Sequence, residues 1–232
     1  MTDPTALLLL LLDSRAPAGA HSHSGGMEAA ITAGFVGDLD GVEQFCRGRL
    51  RTSGQVAAAF AAAGCQLWLD GGDLHGGDAA EWLRLDDELS ARTPSEAARA
   101  ASRQLGSGLR RLLRAMLPDA DLTTPWRQCP APAPHHPLVL GSAVALAGGT
   151  PELAARAAAL AACTGPASAA VRLLGLDPFA VQGMLARLTA DSGTWRAHIA
   201  HQVPESLPAG GAPALDLLAD VHLTAEVRLF AS

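Results

Sequence analysis

The sequence predicts an all-α fold, a single-domain helical bundle of about eight to ten helices with no sheet. Three observations carry that expectation. Hydrophobic residues make up 49% of the 232 positions but aromatic ones only 4%, and Tyr is absent, so Ala and Leu supply most of the apolar surface. Both are strong helix formers, and β-branched runs are scarce. Apolar residues recur every three or four positions, as at Leu105, Leu109, Leu112, Leu113 and Met116, whereas no stretch alternates with period two between hairpin turns.

The third observation is a series of helix start and stop signals. Asp3-Pro4 opens a helix through the Leu run, and Ser24 is placed to cap a segment running to about Phe35. Asp40 with Glu43 and Asp78 with Glu81 have capping-box spacing. Thr93-Pro94-Ser95-Glu96 reads as an N-cap Thr with Pro at the first helical position, and Thr150-Pro151 and Asp177-Pro178 repeat the device. Stops are expected at Gly54, Gly71-Gly72, Pro118, Gly148-Gly149 and Gly165-Pro166. The segment 119–135, with Pro125, Pro130, Pro132 and Pro134, reads as an extended crossover within one domain spanning 1–232.

Composition also bounds function. A net charge of −6 and a pI near 5.7 argue against a nucleic-acid partner, which favours a basic stripe. All 17 basic residues are Arg, and the densest group, Arg110, Arg111 and Arg114, reads as a solvated face or protein contact. Cys46, Cys65, Cys129 and Cys163 are scattered without a CxxC pair, as expected of reduced thiols in a cytoplasmic protein. The apolar run Ala6 to Leu12 is far too short to span a bilayer, and Asp3 stands where a signal peptide would be basic, so neither membrane nor secretion is expected.

The histidines invite a metal reading. His21 and His23 are one residue apart beside a Gly turn, His198 and His201 could share a helix face, and His222 and Glu226 have the four-residue spacing of paired helical ligands. No run supplies the three or four ligands of a tight site, so His21 and His23 are at most a transient stop for an ion. Nucleophile elbows, phosphate loops and dinucleotide turns are missing. Asp86-Asp87-Glu88 reads as a solvated helix face rather than acid–base machinery. An enzyme is not expected. Within Ser22 to Glu28, Gly25 and Gly26 are costly in a helix and suit close approach by another backbone or a partner.

Against this background several blocks become familiar. The run from Leu12 to Glu28, including Ala16-Pro17-Ala18-Gly19 and Ser22-His23-Ser24-Gly25-Gly26-Met27-Glu28, resembles the opening of the UreF family of urease accessory proteins. Asp86-Asp87-Glu88-Leu89, Ala91-Arg92-Thr93-Pro94, Ala101 to Gly106, His136-Pro137-Leu138-Val139 and Ser168 to Leu173 follow in family order. Ala212-Pro213-Ala214-Leu215-Asp216, His222 and Glu226 to Ser232 complete the match. His21, His23, Gly175-Leu176-Asp177 and Ala231 depart from the common pattern, as in an actinobacterial branch.

The resemblance implies an all-helical, dimer-forming assembly factor that binds UreD (also called UreH), recruits the GTPase UreG and docks on apo-urease. No cofactor would be tightly bound, and nickel would be handled transiently by the complex. The residues it points to for partner binding are Ser22, Ser24, Gly26, Glu28, Arg172, Asp216, His222, Glu226, Arg228, Leu229, Phe230 and Ser232. The bare residues agree in one respect: a terminal segment 215–232 ending near Leu229-Phe230 should not bury itself well without a partner. Two alternatives stay open, a UreG regulator acting through an arginine contact and a nickel-binding helical protein built on the His pairs.

Overall fold

The computed structural model describes residues 4–13, 23–72, 76–191, 203–223 and 229–230. Among the described residues there are ten α-helices and no strand. In chain order they are α1 (Pro4–Leu12), α2 (Met27–Thr32), α3 (Leu39–Arg51), α4 (Ser53–Asp70), α5 (Ala79–Ala91), α6 (Glu96–Met116), α7 (His136–Leu146), α8 (Pro151–Leu174), α9 (Pro178–Asp191) and α10 (Pro213–Leu223). A 3-10 turn, Pro204–Ser206, precedes α10. The all-α expectation and the helix count hold.

The middle of the fold is α4, packed on α3, α5, α7 and α8, and α8, packed on α2, α3, α4, α7 and α9. Both helices are alanine-rich and serve two apolar clusters. Phe60 and Trp68 of α4 and Ala154 and Ala158 of α8 meet Trp82, Leu113, Leu138 and Val139 on one side. Ala58 and Ala62 of α4 and Ala159 and Cys163 of α8 meet Met27, Val42, Cys46 and Met184 on the other. α8 is long and apolar enough to cross a membrane by length and composition, but here it lies packed against five other helices.

Several helix boundaries differ from the sequence reading, each for a local reason. The α3 cap is Asp38, not Asp40: its carboxylate accepts from Gly41 N at 2.8 Å. Ser95, not Thr93, caps α6, accepting from Ala98 N at 3.1 Å, while the Thr93 hydroxyl donates back to the Leu89 carbonyl and closes α5. Gly54 does not stop a helix. It lies in the first turn of α4, where Gly is tolerated because a Cβ would sit 2.8 Å from the Arg49 carbonyl. Ser24 does not cap α2 either; Gly26, at φ 88°, holds that position.

Gly165-Pro166 does not end α8, which runs through to Gly175 in the left-handed region at φ 65°. Proline removes the N–H that would bond the carbonyl four residues back, at Ala162. That carbonyl instead accepts from Arg49 Nε of α3 at 3.0 Å. The orphaned acceptor is satisfied by a neighbouring helix, and α8 continues.

The Pro-rich segment 119–135 is not extended. It folds back in a series of turns that bury Leu122, Trp126 and Ala133. Trp126 joins Trp68 and Trp82 in a mutually tilted trio with ring centroids 5.7–6.2 Å apart. Arg110 and Arg114 of α6 hold the segment from outside, donating to the Pro132 carbonyl and the Thr123 hydroxyl, each at 3.0 Å.

Beneath it lies a buried polar network, and here Asp86 departs from the solvated face expected of it. Its side chain is fully buried, paired with Arg103 Nη2 at 2.6 Å and accepting His135 N–H at 2.9 Å. Arg103 also donates to Ser90 Oγ and the Ala133 carbonyl, and Ser90 Oγ lies 2.9 Å from His135 Nε2. Asp86 thereby ties α5 to α6 and to the start of α7.

Burial, followed by the charges of Arg103 and Arg99, pushes His135 down to about 3. Burial, followed by the charge of His23, pushes His136 down to about 4. Unfolded, each histidine takes its proton near about 6.5. Below that pH the unfolded chain binds more protons than the folded one, so stability falls as pH falls towards the folded values. The slope reaches at most about 1.4 kcal/mol per pH unit for each histidine. Urea unfolding at about pH 7 and about pH 5 should show the loss, and His135→Asn should shrink it.

Candidate functional site

The candidate site starts from the two glycines that precede α2. Gly25 and Gly26 both take positive φ, 58° and 88°, a conformation that glycine adopts without strain. Space makes the same demand at Gly25, where a Cβ would lie 3.1 Å from Pro166 Cγ of α8. The Gly25 carbonyl accepts from Arg49 Nη1 at 2.8 Å. One arginine therefore fastens both the turn and the interrupted ladder of α8. Leu215 of α10 faces Gly26, where an added Cβ would lie 3.7 Å from Leu215 Cδ2.

The turn delivers Glu28 into a buried position, 7% exposed, in the first turn of α2. Its carboxylate receives two consecutive backbone donors from the far end of the chain, Leu229 N at 2.8 Å and Phe230 N at 3.1 Å. Bonds to an ionised acceptor are roughly twice as strong as neutral ones. The Phe230 ring in turn lies 5.5 Å from the Arg172 guanidinium of α8, within cation–π range. Glu28, Arg172, Leu229 and Phe230, all picked out as partner-binding residues, thus come together at one place.

The expectation that the terminal residues need a partner for burial is corrected in part. Phe230 is only 9% exposed and packs within its own chain, whereas Leu229 is 74% exposed. Glu28 supplies the anchor that the sequence reading lacked. It is the side chain of Leu229, not of Phe230, that this arrangement presents outward.

Asp216, expected as a partner contact, is half-buried on α10. Burial raises its carboxyl above the usual range, against the opposing effect of a hydrogen bond from the Ser95 backbone and with Asp220 adding to the rise. Asp220 accepts the Ser95 hydroxyl at 2.6 Å. These two carboxylates seat α10 on the start of α6. The approach to α10 is held by Arg92, which donates to the carbonyls of Pro204, Glu205, Leu207 and Pro208, and by Arg84, which grips Glu205 through two bonds of 2.7 Å. Neither arginine was singled out from the sequence. Arg92 does fall within a block that carries the family resemblance.

Ser24 is buried at the turn, and His222 falls on α10. His21, Ser22, His198, His201, Glu226, Arg228 and Ser232 lie outside the described residues. Of the two histidines proposed for an ion, His23 lies within the described residues, near enough to His136 for its charge to lower the His136 proton affinity. Among the described residues no group of three or more metal-ligand side chains occurs.

Comparison with known proteins places this geometry in a family. The UreF family model matches residues 36–189. The urease accessory protein UreF of Mycobacterium marinum is 44% identical over 227 residues, covering 98% of each chain. The protein of the same name from Mycobacterium sp. strain JLS is 41% identical over 225 residues, covering 97% of each. That from Mycobacterium tuberculosis H37Rv is 41% identical over 224 residues, covering 94% of this chain and 93% of the relative. The matched region runs from before α3 to within the last turn of α9, and the alignments to relatives extend over nearly the whole chain, so this chain belongs to the UreF family of urease accessory proteins.

Proposed function

We propose that this chain is a non-enzymatic assembly factor for urease, acting in the cytoplasm to support incorporation of the nickel centre. The observation that carries the reading is near-full-length similarity to relatives named urease accessory protein UreF. In this reading the chain binds UreD (UreH), helps recruit the GTPase UreG and docks with them on apo-urease, as a homodimer within the complex. Nickel passes transiently, with His21 and His23 as the nearest candidate ligands, and no cofactor is held.

The docked C-terminus is the surface on which this reading concentrates UreD binding. Leu229 stands outward, backed by the buried Glu28 carboxylate and flanked by Arg172. Glu28→Ala removes an acceptor shared by two backbone donors, each such charged bond being worth about 1.5–3 kcal/mol. UreD association should weaken at least about tenfold, read by co-purification and titration. Deleting residues 228–232 should abolish it, and Arg172→Ala should impair UreG recruitment. Deleting the gene should leave urease expressed but nickel-free; urease of normal nickel content in that strain would overturn the functional reading.

A further inference from the structure

Where α3 crosses α8, two cysteines face one another inside the second apolar cluster. Cys46 is fully buried and Cys163 2% exposed. Cys46 Sγ lies 3.8 Å from the Cys163 carbonyl, and Cys163 Sγ lies 3.6 Å from the Cys46 carbonyl. Each thiol therefore donates to the other residue's backbone carbonyl, so the two side chains rest against one another's backbones. Such reciprocal closeness is what a disulfide requires, since its sulfurs must come within bonding distance while the backbones stay a few ångströms apart. Both residues sit on rigid helices with small neighbours, Ala159, Ala162 and Ala167 among them.

The pair is also chemically asymmetric. The hydrogen bond from Cys46 holds the Cys163 thiol below the usual range, against burial, and the nearby Arg49 guanidinium adds to that effect. The same bond, together with burial, pushes Cys46 up. Cys65 and Cys129 differ: burial pushes each up to about 12. A thiolate is the form that attacks an oxidant.

From this juxtaposition we infer that Cys46 and Cys163 form a dithiol site at which a peroxide makes a disulfide stapling α3 to α8. The Cys163 thiolate attacks one oxygen of hydrogen peroxide; an S–O bond forms, the O–O bond breaks, and the departing hydroxide takes a proton to become water. Cys46 sulfur then attacks the Cys163 sulfenic acid. The S–S bond forms, the S–O bond breaks, and hydroxide leaves with the Cys46 proton as a second water. Two electrons pass from the thiol pair to the peroxide, and a reducing thiol reverses the change. The staple would join residues 117 apart in the chain, directly behind the Gly25–Gly26 turn.

The test is hydrogen peroxide added to the intact, folded protein, followed by quenching, denaturation, thiol counting and peptide mapping without reductant. Two of the four free thiols should disappear, with one cross-linked peptide pair containing Cys46 and Cys163, and dithiothreitol should restore both. Cys46→Ala should abolish the cross-linked pair and slow the oxidation of Cys163. The wild-type map alone decides the matter should that variant fold poorly. Retention of all four thiols in the folded protein would overturn the inference. So would oxidation confined to Cys65 or Cys129, or conversion of Cys163 to a sulfinic acid with Cys46 still free.

Discussion

Arg103→Ala should unfold at markedly lower urea concentration than the parent protein, with a loss of about 3–5 kcal/mol. The substitution leaves Asp86 fully buried with its cationic partner gone. It also strips donors from Ser90 Oγ and the Ala133 carbonyl. Against a total stability of about 5–15 kcal/mol for a typical domain, that is a large fraction of what holds the fold together. Arg103→Lys should recover only part of the loss, because an ammonium cannot reproduce the planar fork that reaches Asp86 through both terminal nitrogens. Replacing both charges, as Asp86→Asn with Arg103→Met, should cost less than Arg103→Ala alone, since no uncompensated charge stays buried. A double variant as unstable as the single one would show that packing, not charge pairing, dominates.

The second large effect is expected at a methyl group. Gly141→Ala on α7 would place a Cβ 2.2 Å from the Ala61 carbonyl oxygen and 2.7 Å from Cys65 N. Both are backbone atoms of α4, so no rotamer change relieves the clash and the two helices must separate. Overpacking of this kind costs about 1–3 kcal/mol and sometimes more. Gly48→Ala is the control, for a Cβ there meets nothing within 4 Å on the exposed side of α3. It should stabilise by about 0.5–1 kcal/mol, because Gly in a helix interior is worse than Ala by that amount. Thermal melts of the two variants should move in opposite directions.

The fold class was legible because it rests on local signals: alanine and leucine at helical spacing, and oxygen-bearing caps before prolines. Thr150 and Asp177 cap where their spacing suggests, accepting from Leu153 N and Phe179 N. Boundaries went astray wherever a distant group decided them. Pro166 breaks a helix by its own chemistry and is tolerated only because Arg49, 117 residues away from Pro166 along the chain by the same separation that divides Cys46 from Cys163, satisfies the stranded Ala162 carbonyl. Asp86 looked solvated because its neighbours Asp87 and Glu88 are acidic too, and nothing in that tripeptide announces Arg103. The site was legible in a different sense. Family resemblance selected Glu28, Arg172, Leu229 and Phe230, but no periodicity could reveal that a carboxylate receives backbone donors 201 and 202 residues later.

The alanine-rich centre of α4 and α8 has one further consequence. Alanine has no rotamers to freeze on folding, whereas a long side chain gives up as much as about 2 kcal/mol of conformational freedom when buried. Residues such as Ala58, Ala61, Ala62, Ala154 and Ala159 are almost fully buried and incur no such loss. Each also contributes little apolar area, so cohesion depends on how closely the backbones approach. The middle of this protein should therefore behave as a stiff joint of low compressibility, in which a displacement of one helix is carried to its neighbours rather than absorbed by side-chain rearrangement.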